Sequence, residues 1–354
     1  MLFVTFHGGK PTKDIPCPVN NVYAYDETVP QDPPPYLNVL CVPANVALSE
    51  LRDLCFANGF LYVCNGAKKT SNVLCFAKAP ASALPNENWF YVGAFASGGQ
   101  GDGNVLAIDH PFAIELTADG RSCFVSSQDT NVVTMLNVST DGKTGSVQQG
   151  AAASWLKQFL DPTQNPQFLD GTFVASATPA LPPVPATPPV PPDQGGLTYS
   201  TSTAEPDATG KGGQEKIQHS VRDVVLCNGV LCVTDEAAGV IRLYDPVSGS
   251  YWGTSNAIGS ATHLLAQGNT LLVCAGKQIW AGNPVTQSGQ TLALTGKIQL
   301  PDTGSGMTFD SAGNLYVALR TKQKIYRYDT AGKGTLFLDN LPDQPEFVVY
   351  GANT

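Results

Sequence analysis

A two-strand phrase recurs along this chain: an apolar strand, a turn containing Gly or Asn, and a second strand rich in Leu or aromatic residues that ends on Val. It reads LRDLCFANGFLYV from Leu51, FAIELTADGRSCFV from Phe112, VRDVVLCNGVLCV from Val221, THLLAQGNTLLV from Thr262 and GMTFDSAGNLYV from Gly306. A sixth copy is divided between the chain ends, where EFVVYGANT (Glu346 to Thr354) supplies the first strand and MLFVTFHGG the second. Alternation over β-branched and aromatic residues with Gly/Asn turns argues strand over helix. A repeat shared between the two ends predicts a circular array that closes without a free sheet edge.

Each phrase is followed by a third alternating strand: NVYAYD (Asn21 to Asp26), NVLCF, VVTML, VIRLYD (Val240 to Asp245), QIWAG and KIYRYD (Lys324 to Asp329). A weaker fourth strand follows in most units, as in LNVLCVP (Leu37 to Pro43), NWFYVGAFA (Asn88 to Ala96), TGKIQL and GTLFLDN. Four short strands repeated at a period of roughly 40–50 residues describe an all-β, six-bladed β-propeller in a single domain over residues 1–354, its first blade closed by the N- and C-terminal strands. One segment breaks the period. Residues 151–218, between the third and fourth blades, read as an amphipathic helix (Ala151 to Asp161) and a proline tract (Thr178 to Gly196) that serve as lid, linker or oligomer contact.

Charged residues are only 14% of the chain and the formal net charge is -9, which argues against nucleic acid or anionic membranes as partners. No apolar run approaches the roughly 20 residues needed to span a bilayer, and the N-terminus lacks the pattern of a signal peptide. Most of the nine cysteines lie in apolar strand patterns, among them Cys55, Cys64, Cys75, Cys227, Cys232 and Cys274. They read as small core residues of a cytoplasmic protein.

The phrases DTGSGMTFDSAGNLYVALRT (Asp302 to Thr321) and HPFAIELTADGRSCFVSSQDTNVV (His110 to Val133) resemble the blade phrase of the gluconolactonase/regucalcin family and of NHL-repeat propellers. That resemblance implies the propeller and leaves the reaction open, because such folds serve lactonases, lyases and interaction modules alike. It also implies a divalent cation, usually calcium, held in the channel by a Glu, two Asn and an Asp. Glu346 matches the Glu position, whereas Phe112 and Ser305 stand where an Asn and the Asp belong, so a site of that type is short of oxygen ligands.

Aligning the innermost strands puts Glu346, Arg52, Phe112, Arg222, Thr262 and Ser305 in one column and Phe347, Asp53, Ala113, Asp223, His263 and Gly306 in the next. Planar guanidiniums bind carboxylates or phosphates bidentately. Arg52 and Arg222, with Phe112 and Ser305, are therefore candidate substrate-binding residues, and Glu346, Asp53, Asp223 and His263 candidate acid–base residues. The structural alternative pairs Arg52 with Asp223 or Glu346, and Arg222 with Asp53. Topology sends His7, His110, His219 and His263 to one rim, where they are candidate ligands for Zn or Fe. The functional expectation is a small-molecule enzyme of the channel, a lactonase- or esterase-like hydrolase or a lyase or isomerase acting on an anionic or lactone-like substrate. The alternatives are a noncatalytic scaffold for protein partners and a histidine-ligated metalloenzyme.

Overall fold

The computed structural model describes residues 1–26, 36–67, 71–78, 89–97, 108, 110–128, 132–145, 157–159, 220–247 and 249–351. Six antiparallel sheets succeed one another, each counted here from its innermost strand outward. The first blade consists of β26 (Pro345–Tyr350), β1 (Leu2–Phe6), β2 (Tyr23–Tyr25) and β3 (Leu37–Asn38). The second has β5 (Leu51–Ala57), β6 (Phe60–Asn65), β7 (Asn72–Lys78) and β8 (Trp89–Ser97), with β4 (Leu40–Cys41) added in parallel at its outer edge. The third has β9 (Pro111–Leu116), β10 (Ser122–Ser127), β11 (Val132–Asn137) and β12 (Lys157–Phe159). The fourth has β13 (Val221–Cys227), β14 (Val230–Asp235), β15 (Val240–Tyr244) and β16 (Tyr251–Ser255), with β20 (Gln290–Leu292) in parallel outside them. The fifth has β17 (Ala261–Gln267), β18 (Thr270–Ala275), β19 (Gln278–Gly282) and β21 (Thr295–Gln299). The sixth has β22 (Gly304–Phe309), β23 (Leu315–Leu319), β24 (Lys324–Tyr328) and β25 (Gly334–Leu338).

The divided repeat is real. β1 pairs with β26 in antiparallel register, Phe3 opposite Val349, and the Gly351 N–H donates to the Met1 carbonyl at 3.1 Å. Leu2, Val4 and Phe6 of the first blade then pack on Tyr316, Ala318 and Ile325 of the sixth, and five further apolar clusters fill the other seams. Each Leu or Val buried there contributes about 1.5–3 kcal/mol. Asn58–Gly59 and Asn228–Gly229 turn the hairpins of the second and fourth blades with positive φ at both residues, as a two-residue turn between twisted strands requires.

Two expectations are corrected. The stretch read as a helix from Ala151 contains β12, which completes the third blade by pairing Val133 with Phe159; the rest of that stretch and the proline tract lie outside the described residues. Apolar periodicity over so short a run does not separate strand from helix. The strand read from Leu37 to Pro43 is divided as well, β3 finishing the first blade and β4 extending the second. Among the described residues no helix is long and apolar enough to cross a membrane.

Candidate functional site

The channel carries two cavities. One, of about 270 Å³, lies at the rim where the second strands end and the innermost strands begin. The other, of about 290 Å³, lies further along the same innermost strands. His263 borders both, and its ring touches Phe347 (centroids 4.5 Å apart) and Phe112 (5.6 Å), which in turn lie 5.3 Å from each other. These three rings form an aromatic waist between the cavities.

Two rings of residues build the rim cavity, and strand geometry dictates both. The second residue of every innermost strand faces it: Glu346, Arg52, Phe112, Arg222, Thr262 and Ser305. The residue after each second strand forms the other ring, and His7, Gln128, Glu236, Gly276 and Arg320 from it line the cavity. The sixth member, Gly66, leaves room for its neighbours: a Cβ there would sit 2.9 Å from the Glu50 carbonyl oxygen and 3.3 Å from Arg52 Cγ. Sequence reading gave the first ring as one of two interchangeable columns and, of the second ring, only His7. Arg320 and Glu236 were legible by the same rule, one residue past the Leu/aromatic–Val strand.

Electrostatics are concentrated on Glu346. Its Oε1 lies 2.9 Å from His7 Nδ1, 3.1 Å from Arg320 Nη2 and 3.8 Å from Arg52 Nη1. Burial alone would raise this carboxyl, but the His7 hydrogen bond and the two guanidinium charges outweigh it and hold the pKa down at about 2. Arg52 is 4% exposed and reaches Glu50 at 3.5 Å and the His7 carbonyl at 3.1 Å. Arg222 pairs with Glu236 at 2.8 Å and stacks over Phe112 at 5.6 Å. The expected partner Glu346 is therefore found for Arg52, whereas Arg222 pairs with Glu236 instead of Asp53. Among the described residues, Arg52 Nε, Arg222 Nη1 and His263 Nε2 are buried without a hydrogen-bond partner.

Asp53 and Asp223, expected as acid–base residues, border the other cavity. Asp53 accepts the N–H groups of Leu54 and Ile114, Asp223 those of Val224 and Leu264. They latch adjacent blades, because the period-2 alternation of a strand turns them away from the rim ring. Ser305, expected to bind substrate, donates its hydroxyl to the Pro345 carbonyl at 2.8 Å across the closing seam. His263 is neutral at ordinary pH: burial depresses it to about 3, against the pull of Glu346.

Among the described residues the expected metal ligands do not come together. His7 contacts Glu346, His110 lies 3.7 Å from Glu50, His263 contacts Thr262, and His219 is outside the described residues. Among the described residues no three His, Cys, Asp or Glu side chains are arranged to hold a metal ion. A calcium ion on Glu346 would sit against the guanidiniums of Arg52 and Arg320, the opposite of the electronegative cage it requires.

No protein-family model matches the chain, and no curated protein matches it in sequence. Solved structures match its fold around the ring. A chain of the nidogen/laminin complex aligns over 99% of this chain and 98% of its own length at 10% identity, with a TM-score of 0.51. A streptogramin B lyase aligns over 98% and 87% at 8% identity, with a TM-score of 0.52. At such identities the likeness is one of fold: the chain is a six-bladed β-propeller.

Proposed function

We propose that the rim cavity is the active site of an enzyme acting on a small anion, a carboxylate or a lactone or ester that bears or becomes one. The observation that carries this reading is the convergence of three guanidiniums, those of Arg52, Arg222 and Arg320, on one rim cavity. A ligand with two carboxylate or phosphate oxygens gains charge-assisted bonds there. The three guanidiniums line the cavity with Glu236 and Glu346, and Glu50 stands 3.5 Å from Arg52, so the site offers an anion planar donor forks and not a net positive charge. The reaction classes that need only proton transfer and charge stabilisation are elimination, isomerisation and hydrolysis, and one propeller of this fold is named as a lyase. A cytoplasmic setting agrees with nine cysteines of which none is in a disulfide.

Calorimetry with malonate as the probe tests the reading. Binding to the wild-type chain is expected to weaken at least ~10-fold in Arg52→Gln and Arg222→Gln, one tenfold step per ~1.4 kcal/mol of lost bonding. Asp53→Asn, altered in the other cavity, should bind normally. Absence of malonate binding, or binding indifferent to both arginines, sinks the proposal and favours a noncatalytic scaffold that engages partners elsewhere on the ring.

A further inference from the structure

His7 is tied in place more completely than a rim residue needs to be for folding. Its backbone N–H donates to the Gln344 carbonyl at 2.8 Å, and its carbonyl accepts Arg52 Nη1 at 3.1 Å. Its ring Nδ1 lies 2.9 Å from Glu346 Oε1 and 2.8 Å from Arg320 Nη2, and those two lie 3.1 Å from each other. One proton must be shared out in this triangle. If Nδ1 carries it, Nδ1–H donates to the carboxylate and Arg320 keeps its own charge-assisted bond to the same oxygen. If Nδ1 is bare, the two hydrogens of Arg320 Nη2 serve Nδ1 and the carboxylate at once, and the 2.9 Å Nδ1–Oε1 contact is left between two acceptors. The first arrangement gives the buried carboxylate two donors, at the cost of setting Nδ1–H and Nη2 2.8 Å apart, and leaves Nε2 with its lone pair. The ring is 42% exposed and borders the rim cavity, while Glu346 beneath it is 2% exposed and stays ionised.

We infer that His7 is the acid–base residue of the rim cavity, oriented through Nδ1 by Glu346, with Arg52 and Arg222 holding the anionic end of the substrate. The inference rests on the reading of that cavity as an active site and names its proton-transfer group. A buried carboxylate that fixes the tautomer and stabilises the imidazolium is the arrangement that makes a histidine an effective base. The step balances without a co-reactant. Nε2 takes a proton from the carbon next to the bound carboxylate, and the C–H electron pair forms a C=C bond. An oxygen leaving group on the neighbouring carbon departs with its own bonding pair and receives the proton back from Nε2. A small β-oxygenated carboxylate is the substrate class that a base beside an anion site would serve by elimination. Glu346 is the positioning residue and changes charge at no point.

Nitrogen-15 spectroscopy of the full chain tests the orientation. Wild type and Arg320→Gln should both hold the His7 proton on Nδ1, and Glu346→Ala should move it to Nε2. Diethyl pyrocarbonate, followed by mass spectrometry of the His7 peptide, tests the direction Nε2 faces. Malonate at ten times its dissociation constant should slow modification about tenfold. A wild-type proton on Nε2, or modification that bound malonate leaves unchanged, overturns the assignment of His7 while the anion site stands. Failure of malonate to bind at all overturns the active-site reading first and this inference with it. The wild-type tautomer and Arg320→Gln decide the matter even where Glu346→Ala does not fold.

Discussion

Asp223 Oδ2 accepts the backbone N–H of Leu264 at 2.7 Å, so a carboxyl of the fourth blade closes the ladder of the fifth. Asp53 does the same to Ile114 at 3.0 Å and Glu115 to Leu226 at 3.1 Å, so the three latch successive seams. Burial is the main cause that raises all three, Asp53 and Glu115 to about 7 and Asp223 well above its ordinary value.

A raised carboxyl binds its proton more tightly in the folded chain than in the unfolded one. Its contribution to stability is complete below the unfolded pKa near 4 and is lost as pH rises through about 7. The melting temperature should therefore decline from pH 5 to pH 8. Asp53→Asn, which cannot ionise, should flatten that decline by a few degrees, at about 2–4 °C per kcal/mol for a chain of this order. A melting curve series across that range checks it; an identical slope in the variant refutes it.

Glu346 bears the opposite sign. Its pKa is depressed from 4.5 to about 2, so the stability it supplies is present above pH 4.5 and lost as pH falls through about 2. Acid titration of the wild type should show an unfolding limb below pH 4 that Glu346→Ala lacks. At neutral pH that variant leaves buried Arg52 short of a counter-charge and should lose about 3–5 kcal/mol in urea unfolding.

Away from the channel, Arg242 and Asp235 form an ion pair at 3.2 Å with side chains 1% and 0% exposed. Asp235 also accepts the N–H groups of Ser220 and Ala238. Asp235→Ala should cost about 3–5 kcal/mol in urea unfolding, because a buried guanidinium loses its carboxylate. The double variant Asp235→Ala/Arg242→Met should recover part of that loss. If it does not, the cost lies in the Asp235 backbone bonds and not in the stranded charge.

Gly306 lets the sixth blade approach the first. A Cβ there would lie 2.4 Å from Phe347 Cα and 2.5 Å from Val348 N, atoms of backbone that cannot swing aside. Gly306→Ala should destabilise by about 1–3 kcal/mol or more. It should also perturb the neighbouring Glu346, which a drop in malonate affinity beyond that of Gly268→Ala, a positive-φ glycine with open space around it, will report.

The propeller was legible because its hairpins repeat: Asn-Gly turns and Val-ended strands specify the local geometry wherever they occur. The two columns of the innermost strands could not be told apart from sequence, since one residue of slip exchanges the faces of a strand. The structure resolves them, with Arg52, Arg222 and Glu346 at the rim and Asp53 and Asp223 beyond the waist. Which acid each arginine would choose was not legible either. Arg222 meets Glu236 across its own sheet, a residue that apolar patterning passes over because it lies just outside the strand. Histidines were read as a group on topology alone, and side-chain direction then separated His7 at Glu346 from His110 at Glu50.

The bond between His7 and Glu346 spans 339 positions. At synthesis rates of ~5–20 residues per second, roughly 20–70 s separate the emergence of its two ends. During that interval β1 waits with one edge unpaired while five blades are made, and the proposed acid–base residue waits without the carboxylate that orients it. Pairing of β26 therefore does two things in one event. It converts an open, aggregation-prone edge into a ring and sets Glu346 beside His7, so a chain without β26 lacks both.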